Sequence, residues 1–140
     1  AREVAGEFTA GLVEAGTTSA MVFGSHFASA VDAMFTQAAE TGLRVTGGLV
    51  VSDRVLRDDL LTTPEQAYDD GRALAERWHG RDGLRYAVTP RFSLSCGDAS
   101  FRSSRKCAGS SVPFLVLWKV QANLNTISVW RFQPKLLLKK

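Results

Sequence analysis

The residues best suited to chemistry are Arg91 and Phe92, side by side at the end of a short alternating run. In residues 84–89, Leu84, Tyr86 and Val88 alternate with Arg85, Ala87 and Thr89, and Pro90 stops the pattern. A period of two predicts a strand that ends abruptly and hands the pair to its tip. A guanidinium supplies a rigid fork of donors and a phenyl ring supplies a face for stacking, so together they suit a flat polar ligand. The competing reading is a surface Arg beside a core Phe.

Two further side chains stand at comparable places. His26 lies in a strand-to-helix turn, where an imidazole can be a general base, a ligand or only a local hydrogen-bonding group. Asp53 sits beside Arg54, either as an acid on an active rim or as a paired surface charge. His26 and His79 are too far apart to form a local ligand pair, and no HxH, HExxH or CxxC occurs. A locally encoded metal site is therefore not expected. Cys96 and Cys107 fall in a Ser-rich stretch and are expected as free thiols, with a disulfide or a metal pair as the alternative.

The elements that must position these residues follow from periodicity. Val4, Phe8, Leu12 and Ala15 recur at helical spacing, with Gly16 placed to end the helix. Residues 17–24 read as a short buried strand, and 25–41 as a helix whose apolar face is Phe27, Val31, Met34, Phe35 and Ala38, closed by Gly42. Residues 43–51 form a second strand, in which Gly47 and Gly48 suggest a bulge or a close backbone approach. Thr63-Pro64-Glu65-Gln66 carries the signals of a helix start, and that helix runs to about Trp78, burying Ala67, Leu74 and Trp78. A turn at 79–83 returns to the strand before Arg91.

Residues 1–95 thus read α-β-α-β-α-β, which predicts an α/β fold of parallel strands joined by right-handed crossovers. This is the grammar of a doubly wound sheet or of a (β/α)8 barrel, and both place ligands beyond the carboxyl ends of the strands. The residues just past those ends are Gly24-Ser25-His26, Ser52-Asp53-Arg54 and Pro90-Arg91-Phe92. No Gly-rich phosphate loop opens any of these helices.

Composition bounds the rest. The 140 residues suit one domain, and 45% hydrophobic with 22% charged residues is ordinary for a soluble globular protein. No apolar run approaches the roughly 20 residues that cross a bilayer. The opening AREVAGEF has no initiator Met and no basic or apolar leader, so no signal peptide is expected, and the chain is expected to be a piece of something longer. The net charge of +3 hides a split. Up to Ser95 there are nine Arg, no Lys and thirteen acids, a balance of −4; from Cys96 onward the balance is +7, and every lysine lies there. Such a break predicts a boundary near residue 96.

The runs VTPRFSLSC (88–96), LVEAGTTSAMVFGSHFAS (12–29), VTGGLVVSDR (45–54) and AERWHGRDGLRYAVTPRF together resemble the guanine deaminases of the amidohydrolase superfamily over nearly all of residues 1–95. The resemblance implies a fragment of a (β/α)8 TIM barrel of the metal-dependent hydrolase type, and a zinc-dependent hydrolysis of guanine to xanthine and ammonia in the cytoplasm. In such an enzyme the metal lowers the pKa of bound water and a glutamate shuttles the proton to the leaving ammonia. Arg91 and Phe92 match the family positions that contact the purine. His26 and Asp53 fall on similar positions as possible active-site rim residues, and no catalytic role is assigned to either. The family's HxH would lie before Ala1, and its later histidines, glutamate and aspartate beyond Cys96. Neither His26 nor His79 matches a zinc ligand, so the metal set is absent and the chain alone is expected to be inactive.

Residues 97–140 do not resemble the family and are expected to be a basic tail. Residues 97–111 read as polar and loop-like, while VPFLVLWKVQ and NTISVWRFQPKLLLKK are apolar and β-branched enough for one or two strands. Those strands would either patch an exposed sheet edge or belong to a foreign or out-of-frame segment. Lys119, Arg131, Lys135, Lys139 and Lys140 with Trp118, Trp130 and Phe132 mix cations and aromatics, as single-strand nucleic-acid binders do, although terminal lysines more commonly serve solubility. A third function class is a structural barrel fragment that is stable only as a homo-oligomer or within its parent enzyme.

Overall fold

The structure, a computed structural model, describes residues 1–90 and 94–107 (side chain 105 aside) and the backbone of 114–120 and 127–133. In chain order it contains α1 (Arg2–Glu14), β1 (Ser19–Phe23), α2 (Ala28–Thr41), β2 (Arg44–Gly48), α3 (Pro64–Trp78), β3 (Arg85–Tyr86), α4 (Asp98–Cys107), β4 (Phe114–Val120) and β5 (Ile127–Gln133). A single 3-10 turn at Asp58–Leu60 interrupts the loop after β2.

The first three strands form a parallel sheet in the order β1-β2-β3, with Val22 opposite Gly47 and Gly47 opposite Tyr86. Strand order that follows chain order keeps both crossovers on one face. The helices accordingly form one layer in which α1 packs on α2, α2 on α3 and α3 on α4. On the other face Met21, Thr46 and Arg85 lie in one row across the strands, and Met21 and Arg85 are exposed. A doubly wound sheet switches its helices between faces where strand order reverses, and these three strands contain no such reversal.

The core lies between sheet and helices. Val31, Phe35 and Ala38 of α2 meet Val45, Leu49 and Val51 of the β2 segment, Leu74 and Trp78 of α3, and Leu84 and Val88. Each large apolar side chain buried in this way contributes about 1.5–3 kcal/mol. Phe35 stacks on Trp78 with centroids 5.9 Å apart, and Trp78 Nε1 donates to Asp32 Oδ1 at 2.8 Å, so α2 and α3 are joined by both packing and a hydrogen bond. Thr63 caps α3 as its sequence predicts, its hydroxyl accepting from Gln66 N at 3.2 Å, and Gly42 ends α2 in the left-handed conformation. At Gly48 an added Cβ would overlap the Ala87 carbonyl, so the paired glycines serve a close approach of neighbouring strands.

Two expectations need correction, and α1 packs in a way that its spacing does not reveal. The helix expected from Ser25 begins at Ala28, because Ser25 forms a turn in which its hydroxyl accepts from Phe27 N at 3.2 Å. On α1 the apolar row is only partly engaged: Val4 is 67% and Phe8 43% exposed, Leu12 packs against the core, and Ala5 and Thr9 are buried. Small residues win there because they let α1 approach α2 closely; a Cβ on Gly6 would stand 3.0 Å from Gln37 Oε1. The stretch from 97 onward is not all loop, since α4 spans Asp98–Cys107. Its buried residues are Ser100, Ser104 and Cys107, a helical spacing of small side chains that an apolar count overlooks. Ser104 Oγ returns to Ser100 O at 2.8 Å and Cys107 Sγ to Ser104 O at 2.8 Å, so both of these groups bond within the helix.

The two strands expected in the tail form an antiparallel pair of their own, from Phe114 opposite Gln133 to Val120 opposite Ile127. Their side chains, and with them the proposed aromatic and cationic cluster, lie outside the described residues.

Candidate functional site

The sheet brings the three predicted strand exits to one end. Gly24 N donates to Gly48 O at 3.1 Å and Val50 N to Ser25 O at 3.0 Å, which zips the exit of β1 to the exit of β2. Ala87 N donates to Gly47 O at 2.7 Å and Thr89 Oγ1 to Leu49 O at 3.0 Å, which does the same for β2 and the β3 segment.

Beyond these ladders the side chains form a polar chain. His26 is half-buried, with Nε2 3.4 Å from Ser52 Oγ, and Ser52 Oγ donates to Ser95 Oγ at 3.2 Å. Ser52 and Ser95 are buried. With Ser52 donating to Ser95, the tautomer protonated at Nε2 satisfies the imidazole contact. Ser52 is therefore buried between His26 and Ser95, in contact with both.

Asp53 is engaged with backbone. Its N–H donates to Ser95 O at 2.8 Å, and its carboxylate oxygens accept from Gly97 N at 2.9 and 3.1 Å. Gly97 immediately precedes α4, so a negative charge from the β2 exit sits at the start of that helix, where the helix dipole favours it. Arg54 Nε lies 3.9 Å from Asp53 Oδ1, a long pairing on an exposed guanidinium. Burial, and then the Asp53 charge, push the adjacent Cys96 thiol up to about 11, with Arg54 acting in the opposite direction. Sequence reasoning missed Gly97; the available signal was a Gly-Asp step before a run of small residues, a common way to open a helix.

Arg91 and Phe92 lie outside the described residues. The chain on either side of them is fixed, at Thr89 by Leu49 and at Ser95 by Ser52 and Asp53. Among the described residues no group of three or more His, Cys, Asp or Glu is placed to hold a metal ion. Cys96 and Cys107 are both free and buried. No described helix is long and apolar enough to cross a membrane.

Three parallel strands, sequential crossovers on one face and a polar cluster at the strand exits define an α/β segment of the kind that binds ligands at those exits. Comparison with known proteins narrows this class. No family model matches the chain. The chain is 62% identical over 98 residues to a protein of Deinococcus radiodurans named probable guanine deaminase, covering 70% of this chain and 22% of that protein. It is 43% identical over 93 residues to the Escherichia coli guanine deaminase, covering 66% and 21%. The solved E. coli enzyme superposes with a TM-score of 0.73 at 33% identity, over 82% of this chain and 28% of that one. The guanine deaminase of Bradyrhizobium japonicum gives 0.74 at 26% identity, over 86% and 27%. That of C. acetobutylicum, solved with guanine bound in its active site, gives 0.75 over 83% and 29%; at 19% identity it speaks for the fold alone. The chain therefore resembles guanine deaminase and corresponds to a part of it, spanning about a fifth of the length of the curated relatives it matches.

Proposed function

We propose that this chain is the purine-contacting segment of a zinc-dependent guanine deaminase barrel, and that alone it does not turn guanine over. The observation that carries the reading is 62% identity across the stretch whose three strand exits meet at one polar cluster. In this reading Arg91 donates its fork to the purine's acceptors and Phe92 lies against the ring. His26 and Asp53 stand on the rim: Ser52 orients the imidazole, and Asp53 ties the segment after Phe92 to the β2 exit. The sequential crossovers support a fragment of a (β/α)8 barrel over a doubly wound sheet. Zinc belongs to the whole enzyme, where it supplies activated water; its ligands come from outside this chain. A cytoplasmic site of action belongs to the same reading.

Residues 97–140 depart from the family in sequence, while superpositions that cover 82% and 86% of the chain extend into them. Their first part, α4, packs on α3.

The test is ammonia release from guanine by the purified chain with added zinc. No release above the zinc-only control is expected. Turnover that a chelator abolishes would overturn the claim of incompleteness. In a whole guanine deaminase carrying this segment, Arg91→Ala removes a charge-assisted contact worth roughly 1.5–3 kcal/mol, which is expected to raise KM for guanine by at least tenfold. Unchanged kinetics would place Arg91 away from the substrate.

A further inference from the structure

We infer that Val55 and Leu56, at the tip of the loop after β2, are an apolar contact for the purine ring at the strand exits. The inference rests on the guanine deaminase reading above and adds residues to which that reading gives no part. The loop leaves β2 at the exit end of the sheet and returns to its own start: Thr62 N donates to Ser52 O at 2.7 Å, and both residues are buried. Residues 53–61 between them form a compact Ω-loop, a class of surface loop that frequently carries function. Its first residue is fastened to the neighbouring exit, since Asp53 N donates to Ser95 O at 2.8 Å. Its far side is braced by Arg57 Nη2 on Asp59 Oδ2 at 2.8 Å and by the 3-10 turn at Asp58–Leu60. The tip is thus held from both ends, beside the polar chain of His26, Ser52 and Ser95.

On that frame Val55 has a backbone φ of 63°. A β-branched side chain is a poor choice for left-handed backbone, which glycine or asparagine adopts with less strain. Packing gives nothing in return, because Val55 is 77% exposed and Leu56 beside it 38%. Strain retained at an exposed apolar residue is a mark of ligand clamps, where binding and not stability keeps it.

The occupant follows from size and place. A stable protein partner covers about 800 Å² on each side. Here two apolar side chains stand among charged ones, with Arg54, Arg57, Asp58 and Asp59 all exposed. Such a patch is too small to hold a second copy and matches one face of a flat heterocycle. The loop also rises from the carboxyl end of β2, where parallel barrels take their ligands.

The experiment titrates guanine into the 140-residue chain with the methyl groups of Val55 and Leu56 carrying 13C. A purine lying on those methyls is expected to move their proton resonances upfield by its ring current, and saturably. Val55→Asn keeps the left-handed backbone and removes the methyls, so it is expected to weaken guanine binding about tenfold while raising the melting temperature of the chain. A higher melting temperature with unchanged affinity would overturn the inference, by leaving Val55 a structural residue only. Guanine shifts at His26 and at residues 94–96 with none at Val55 and Leu56 would overturn the contact and keep the purine-contacting reading. No shift at any residue would overturn both. Methyl shifts that follow protein concentration in the absence of guanine would also overturn it, by giving the tip to a second copy.

Discussion

Both carboxylate oxygens of Asp53 face the single N–H of Gly97, at 2.9 and 3.1 Å, across 44 residues of sequence. This contact joins the exit of β2 to the start of α4 and so closes the segment that carries Arg91 and Phe92. A hydrogen bond to a charged acceptor contributes about 1.5–3 kcal/mol. Asp53→Ala is expected to lower stability by that order in urea unfolding. Asp53→Asn keeps one acceptor and should lose about half as much. Equal stability of all three forms would mean that Gly97 finds water as readily as it finds Asp53.

What the sequence made legible follows the size of the buried side chains. Val31, Phe35 and Ala38, or Leu74 and Trp78, announce their helices because large apolar residues recur at helical spacing; α3 stands where the spacing predicts, and α2 starts three residues later than expected. The seams made of Ala5 and Thr9, and of Ser100, Ser104 and Cys107, bury residues that a hydrophobicity pattern scores as neutral. Hence the spacing in α1 marks the helix without marking its buried side, and residues 98–107 read as loop. The rim was legible in part, since strand exits can be located from strand ends. The partners within it were not, because Ser52 meeting Ser95 and Asp53 meeting Gly97 depend on how two distant loops superpose.

Two glycines of equal standing in the sequence should respond oppositely to alanine. At Gly48 a new Cβ would strike the backbone carbonyl of Ala87 between adjacent strands, where nothing can move without opening the sheet. Gly48→Ala is expected to cost about 3 kcal/mol or more, at the upper end of overpacking penalties. At Gly11, inside α1, nothing lies within 4 Å of the new atom, and Gly11→Ala should stabilise the helix by about 0.5–1 kcal/mol. Thermal melts of both variants decide the matter, and a neutral Gly48→Ala would contradict the close β2–β3 approach.

Among the described residues of the seam between α3 and α4, one polar atom is buried without a partner. Ser100 Oγ is fully buried and has no hydrogen-bond partner, although Ser104 uses the carbonyl of the same residue. A buried unsatisfied hydroxyl costs about 1–3 kcal/mol. Ser100→Ala removes the penalty at nearly constant volume and is expected to raise stability by about 1 kcal/mol in chemical denaturation. A loss of stability instead would reveal a hydrogen bond that Ser100 makes in solution.

The thiols give the fold a dependence on alkaline pH. Burial, with Asp53 adding to it, pushes Cys96 from 9.0 to about 11, and burial pushes Cys107 to about 11 as well. A group whose folded pKa exceeds its unfolded one contributes stability that is complete below the unfolded value and drains away as pH rises through the folded value. The urea midpoint should therefore be flat from pH 7 to 8.5 and decline from 9 towards 11. Buried Tyr86, whose hydroxyl is also raised by burial, beside Cys107, adds to the decline above pH 10. The interval from 9 to 10 is thus the one that reports the cysteines. Replacing Cys96 and Cys107 by Ser should flatten that interval while leaving the steeper fall above 10. An unchanged slope between 9 and 10 in the double variant would mean that neither thiol is held away from water.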